Sequence, residues 1–354
     1  MDGARGANDS PTDRTYGNRP RHRHYGAASL GVRSADLAHG CTANPQDVAA
    51  TRSVREWFAY LPFLVGVRIF GALPEAVARN VGLMLGSLAA RTKKKGRPLL
   101  SHHMRRVMGS AASDREIDAA VDGMFRSYGR YWAETLWFKA HRRDFILANT
   151  ERINFRPVDE AIAAHRGIVF AVPHIGNWEI AGVVANDLGL DLMAVAEDLP
   201  NKRITDWFLG VRAQFGIHIV LTTDPSRRSK MVKLLRSGGA LALLADRDVT
   251  GNGIPVMFFG EMTTMPAGPT VLAELTDSAL IPVAVYFKEG AGYRIEVGDT
   301  IVIPDAETRS ERIALGVQLV ADVLEAQIRK EPSQWHLFQP NWPSDADVGG
   351  ASGQ

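Results

Sequence analysis

The sequence predicts an α/β fold, a largely parallel sheet flanked by helices, with N-terminal membrane-associating helices placed ahead of it. Three observations support this. From about Glu151 onward, short β-branched runs alternate with helical segments. Before that point, apolar residues recur at helical spacing. The first fifty residues show neither pattern. The predicted organisation is a disordered tail over 1–50, a helical membrane-associating region over 51–150, an α/β core over 151–345 and a second tail over 346–354.

In the core, Ile168–Val172, Leu192–Ala196, Ile217–Leu221, Ala240–Ala245 and Leu280–Phe287 read as strands. Segments 177–188, 201–214, 226–236, 267–277 and 309–330 read as helices. In the helical region, Trp57 to Val67 carries no charge, yet it is too short for the roughly 20 apolar residues of a bilayer span. It suits an interface or a core. Pro74 and Glu75 open a helix with Val77, Val81, Met84, Leu85 and Leu88 on one face, ending at Lys93-Lys94-Lys95-Gly96. That face fits either a membrane surface or ordinary core packing. Ser113-Asp114-Arg115-Glu116 is a capping box, followed by Ile117, Val121, Met124, Phe125, Tyr128 and Trp132 along one side. The aromatics Tyr131, Trp132, Trp137 and Phe138 close that helix, and a core position is the default for them.

Composition narrows the function. Of 354 residues, 45% are hydrophobic, enough for a substantial core. A net charge of +2 argues against a general nucleic-acid binder. Yet Arg91, Lys93, Lys94, Lys95, Arg97, Arg105 and Arg106 form a basic run without an acid, suited to an anionic membrane surface or a solvated helix end. The single cysteine, Cys41, offers neither an internal disulfide nor a thiolate metal cluster. Residues 1–50 lack an apolar stretch near Met1, so no signal peptide is expected. The Arg21-His22-Arg23-His24 group reads as part of a flexible tail rather than a metal site.

The chemistry concentrates in Val172-Pro173-His174-Ile175-Gly176-Asn177-Trp178-Glu179, where a buried strand ends and a helix begins. The carboxyl ends of strands are where α/β folds keep their sites. On a continuous helix His174 and Glu179 would lie about 140° apart, so only the turn can bring them together. A neutral imidazole oriented by a carboxylate can take a proton from a substrate hydroxyl. There is no Gly-x-Ser-x-Gly elbow to supply a protein nucleophile. Asn177 could serve a developing oxyanion, but a helix cap is the favoured reading.

The chain from about Trp57 to Pro343 resembles the lipid A lauroyl/myristoyl acyltransferase family and its phosphatidylinositol mannoside branch. The resemblance rests on five blocks in order: Arg68–Glu75, Pro173–Glu179, Arg212 with Gly216, Asp246-Arg247-Asp248 with Phe258-Phe259-Gly260 and Met265–Pro269, and Trp335–Pro340. It implies a glycerolipid-acyltransferase-like core that moves a long acyl chain from acyl-CoA to a hydroxyl, on a mannose of phosphatidylinositol mannoside. His174 would be the base and Glu179 its partner. Glu197, Arg212, Asp246 and Arg247 would bind substrate, with Glu197–Arg212 as an alternative ion pair. Met257, Phe258, Phe259, Met262 and Met265 could line an acyl groove or fill the core. The expected partners are acyl-CoA, a glycolipid or phospholipid acceptor and the cytoplasmic face of the membrane, with no metal, cofactor or nucleic acid. A lysophospholipid or lipid A acceptor, a thioester hydrolase and a non-catalytic membrane scaffold remain the alternatives.

Overall fold

A computed structural model describes residues 45–349. The expectations for residues 1–44 and 350–354, including Cys41 and the Arg-His group, lie outside the described residues. From Ala50 onward the described chain forms one compact unit. Five helices come first: α1 (Pro45–Ala72), α2 (Glu75–Thr92), α3 (Arg97–Met108), α4 (Asp114–Trp137) and α5 (Arg143–Ala148). Then follow β1 (Thr150–Ile153), α6 (Arg156–Ala163), β2 (Ile168–Val172), α7 (Glu179–Asp187), β3 (Leu192–Ala196), α8 (Lys202–Ala213), β4 (Ile217–Leu221), α9 (Arg227–Arg236) and β5 (Ala240–Leu244). The chain continues through β6 (Ile254–Phe258), β7 (Glu261–Met265), α10 (Gly268–Thr276), β8 (Ala279–Phe287), β9 (Tyr293–Val297), α11 (Arg309–Lys330) and α12 (Asp345–Gly349). Thus α12 occupies the start of the segment read as a tail.

The main sheet has the order β1-β9-β8-β2-β5-β3-β4. Strands β8, β2, β5, β3 and β4 are mutually parallel; β9 runs antiparallel to β8, and β1 is parallel to β9. The largely parallel sheet therefore stands, with a reversed edge. The five core strands read from sequence are present within one residue at their ends. Strands β1 and β9, and the antiparallel hairpin β6–β7, were missed: β1 is short and mostly exposed, so it carries no apolar run to detect. β2 and β8 are buried along their whole length, as a strand covered on both faces must be.

Helix α2 buries a different face from the one its large apolar residues mark. Its buried residues are Ala78, Gly82, Gly86 and Ala90, a small-residue stripe at four-residue spacing. A Cβ on Gly86 would stand 2.3 Å from the Phe125 carbonyl oxygen, and one on Gly129 of α4 would stand 2.3 Å from that of Gly82. The two backbones therefore touch, and the large side chains Val77, Met84, Leu85 and Leu88 are left exposed. Helix α4 begins with the expected capping box, buries Ile117, Val121, Met124, Tyr131 and Trp137, and forms the central pillar. Its Arg130 donates to Glu134 Oε1 (2.7 Å) and to the carbonyls of Lys288 and Gly292 (2.9 and 3.2 Å), which ties α4 to the β8–β9 turn.

The C-terminal segment is pinned to α3. Asp345 has no solvent exposure and accepts from His103 Nε2 (2.9 Å) and from the N–H groups of Asn341 and Trp342 (2.7 and 3.0 Å). Burial opposes its charge, but His103 and the two N–H donors outweigh that and hold the carboxyl down at about 2. A folded value below the unfolded value of about 3.9 gives stability that is present above that unfolded value and lost as pH falls through about 2. Asp345→Asn is expected to cost on the order of 2 kcal/mol at pH 7. Urea unfolding across pH should show the gap to the native protein closing between about pH 4 and 2.

Candidate active site

Strand β2 delivers Pro173 and His174 to the carboxyl edge of the sheet. A positive φ of 56° at Gly176 turns the chain into α7, and a Cβ there would sit 2.0 Å from the Val285 carbonyl oxygen. Only glycine meets both conditions. Asn177 is buried and its Nδ2 donates to Glu134 Oε2 (3.1 Å), which also accepts from the Tyr293 hydroxyl (2.9 Å). Asn177 thus anchors the turn to α4. It makes no side-chain cap on α7, correcting the favoured reading.

The imidazole partner is Asp246. His174 Nδ1 lies 2.6 Å from Asp246 Oδ1, and the His174 backbone N–H donates to Oδ2 (3.0 Å). The sheet register places them side by side. β2 and β5 are parallel neighbours with Val172 opposite Leu244, and two residues further along each chain come His174 and Asp246. Asp246 has no solvent exposure. Burial works against its charge, yet His174, the Trp335 indole and the His174 N–H together hold the carboxyl below its ordinary value. A buried carboxylate on Nδ1 favours the Nδ1–H tautomer and leaves Nε2 as the free ring nitrogen. Asp246 therefore orients the His174 ring and is closed to solvent, where the sequence reading had it binding substrate.

Glu179 does not hold the ring. It faces away into a bidentate pair with Arg212, which donates from Nε to Oε2 (3.0 Å) and from Nη2 to Oε1 (2.6 Å). Arg212 is thereby committed to Glu179 rather than Glu197. Burial works against the guanidinium charge, but Glu179 raises its pKa above the ordinary value all the same. The same burial, reinforced by the Glu179 charge, pushes the Tyr131 hydroxyl well up. Trp178 stacks on Tyr131 (4.3 Å) and meets His174 edge-on (5.3 Å). Glu197 and Arg247 follow β3 and β5 at the same edge, with Arg247 Nη2 3.8 Å from Glu197 and Nη1 donating to Gln339 (2.7 Å). Both are partly open to solvent.

Two groups were missed by sequence reasoning. His336 is buried against His174, with Nε2 2.8 Å from Ser127 Oγ. Burial, then the unfavourable interaction of two imidazolium charges with His174, lowers it to about 3, so it stays neutral near pH 7. Trp335 donates its indole N–H to Asp246 Oδ2 (2.7 Å). Their only trace in the sequence is the closing aromatic block. Phe258, Phe259 and Met265 are buried in the core, while Met257 and Met262 are exposed on the β6–β7 hairpin; none of them lines the apolar cavity beside α7. That cavity, about 890 Å³ including its open mouth, runs between α7 and the sheet. Trp178, Glu179, Arg212 and Leu244 border it, and Phe170, Ala185, Leu192 and Val297 are among its apolar walls.

A family model for bacterial lipid A biosynthesis acyltransferases matches residues 45–344. The chain belongs to this family. It is 33% identical over 289 residues to the phosphatidylinositol mannoside acyltransferase of Mycolicibacterium smegmatis, covering 80% of this chain and 91% of that one. The enzyme of the same name from Mycobacterium tuberculosis is 32% identical over 305 residues, covering 84% and 91%. The protein is therefore an acyltransferase.

In this acyltransferase Glu179 and Arg212 are a largely buried pair, and removing one partner strands the other. Arg212→Met is expected to cost roughly 3 kcal/mol in urea unfolding. Glu179→Met in the same molecule should restore most of that loss. A double variant no more stable than Arg212→Met would show that the stranded carboxylate is not the cause.

Proposed function

We propose that this acyltransferase moves a long acyl chain from acyl-CoA to a mannose hydroxyl of a phosphatidylinositol mannoside, with His174 as general base oriented by Asp246. The observation that carries the proposal is the buried Asp246–His174 pair at the sheet edge, beside an apolar cavity. His174 Nε2 removes the acceptor proton as the oxygen attacks the thioester carbonyl. The tetrahedral intermediate collapses, the carbon–sulfur bond breaks, and the thiolate takes the proton back from the imidazolium. Asp246 stabilises that imidazolium throughout. Arg247 and Glu197 line the approach, where a guanidinium suits a phosphate and a carboxylate a sugar hydroxyl. Support for the mannoside acceptor comes from the relatives' names, covering most of the chain.

The acceptor is a membrane lipid under this proposal, and the surface suits that. Phe58, Leu61 and Ile69 of α1 and Met84 and Leu88 of α2 are exposed, a pattern that fits an interfacial helix. Arg91, Lys93, Lys94 and Lys95 follow at the end of α2 and are exposed as well, while Arg97, Arg105 and Arg106 are engaged by Asp118, Asp122, Asp114 and Glu261. Among the described residues no helix is long and apolar enough to cross a membrane. Peripheral docking on the anionic cytoplasmic face follows from the proposal.

Transfer from radiolabelled palmitoyl-CoA to purified phosphatidylinositol mannosides tests the reaction. The expected result is labelled mannoside, reduced at least about a hundredfold by His174→Ala or Asp246→Asn. Label appearing only in a lysophospholipid or lipid A acceptor would replace the acceptor. Full activity of both folded variants would remove the base mechanism. The cavity adds a second prediction. Ala185 lies on its wall, so Ala185→Phe should shift donor preference toward shorter acyl chains, measured as the ratio of kcat/KM for octanoyl-CoA to palmitoyl-CoA. An unchanged ratio would place the acyl chain elsewhere.

A further inference from the structure

We infer that Trp335 is a positioning residue for the catalytic base, aiming the Asp246 carboxylate at His174 through its indole N–H. The inference rests on the His174–Asp246 mechanism above and adds a third member to it.

The geometry divides the carboxylate in two. Oδ2 accepts from two neutral donors, the Trp335 indole (2.7 Å) and the His174 backbone N–H (3.0 Å). Oδ1 is given to His174 Nδ1 at 2.6 Å. With Oδ2 held from two directions, the plane of the carboxylate is set and Oδ1 stays on the imidazole. A buried indole needs some acceptor, and many backbone carbonyls would serve. Here it meets the one carboxylate that touches the base.

The indole is itself fixed. Trp335 has no solvent exposure and packs among Phe258, Phe259 and Trp342. Its backbone forms an antiparallel bridge with Ile175. On either side, the Gly176 N–H donates to the Gln334 carbonyl (2.9 Å), and the His336 N–H donates to the His174 carbonyl (2.7 Å). The segment 334–336 is thus in register with 174–176, and one short strap holds both the base and the indole that aims its partner. The titratable groups facing His174 are Asp246 from the loop after β5 and His336 from the strap. Behind Trp178 lies Tyr131 of α4, while Glu179 of α7 and Arg212 of α8 are paired with each other.

Removing the indole donor frees Oδ2 and makes the carboxylate a stronger acceptor for the imidazolium. The acid-side half-maximum of kcat/KM then moves to higher pH, because the base is released from its proton later. The test replaces Trp335 with benzothienylalanine, which keeps the fused rings and substitutes sulfur for the N–H, alongside Trp335→Phe. In the acyl-transfer assay the benzothienylalanine protein should show kcat lowered about tenfold, KM for palmitoyl-CoA within about twofold, and the acid limb displaced upward. Its thermal unfolding should remain a single cooperative transition, which shows that it is folded. A folded benzothienylalanine protein with native kcat and native pH profile would overturn the inference. Asp246→Asn in the same assay separates the two claims. Loss of activity there with no effect at Trp335 overturns only the role of the indole. Full activity of Asp246→Asn overturns the base mechanism and this inference with it.

Discussion

A carboxylate withdrawn completely from water must find its donors within the protein, and the Asp246 side chain organises the carboxyl edge of the sheet around that requirement. Its donors arrive from two segments far apart in sequence, the turn after β2 and the strap that follows α11. The two segments are also joined to each other by backbone hydrogen bonds. The turn after β2 is further held by Asn177 on Glu134, and Glu134 by Arg130 and Tyr293. The helical half of the molecule thus shares one polar network with the sheet. This is the organisation expected of a site whose reacting groups must hold their geometry before substrate arrives.

The second carboxylate of the motif plays a different part. Glu179 lines the apolar cavity together with Arg212. A neutralised, largely buried ion pair is a suitable boundary between a hydrocarbon chain on one side and a polar headgroup or CoA phosphate on the other. Arg212 also lies over the Phe208 ring (5.4 Å), and Phe208 belongs to an aromatic cluster that reaches Phe63 of α1 through Trp207. Helix α1 is therefore linked through these rings to Arg212 on the cavity lining.

Much of the architecture was legible in the sequence, because buried parallel strands announce themselves as uninterrupted apolar runs. Ile168–Val172 is the clearest example, and it led directly to His174 at its end. The capping box at Ser113 was equally readable. Glu179 shows what was not legible. A separation of five residues around a turn says nothing about which way the second side chain points, and the carboxylate belongs to Arg212. Asp246 lies 72 residues from His174, and their contact follows from the parallel pairing of β2 with β5, which depends on strand order. Once Val172 is opposite Leu244, His174 and Asp246 emerge side by side two residues further on. Helix α2 carries a related lesson. Its periodicity was visible, but the face it buries is the glycine and alanine stripe, whose advantage is close approach rather than hydrophobic bulk.

The central claim, that Asp246 and not Glu179 sets the state of the base, is tested most directly by nitrogen-15 NMR of His174 in the intact acyltransferase near neutral pH. The account predicts a protonated Nδ1 with an unprotonated Nε2, a signature that Asp246→Asn abolishes and Glu179→Gln leaves in place. An Nε2–H tautomer in the native protein, or an Nδ1 proton that responds to Glu179→Gln and ignores Asp246→Asn, would contradict it.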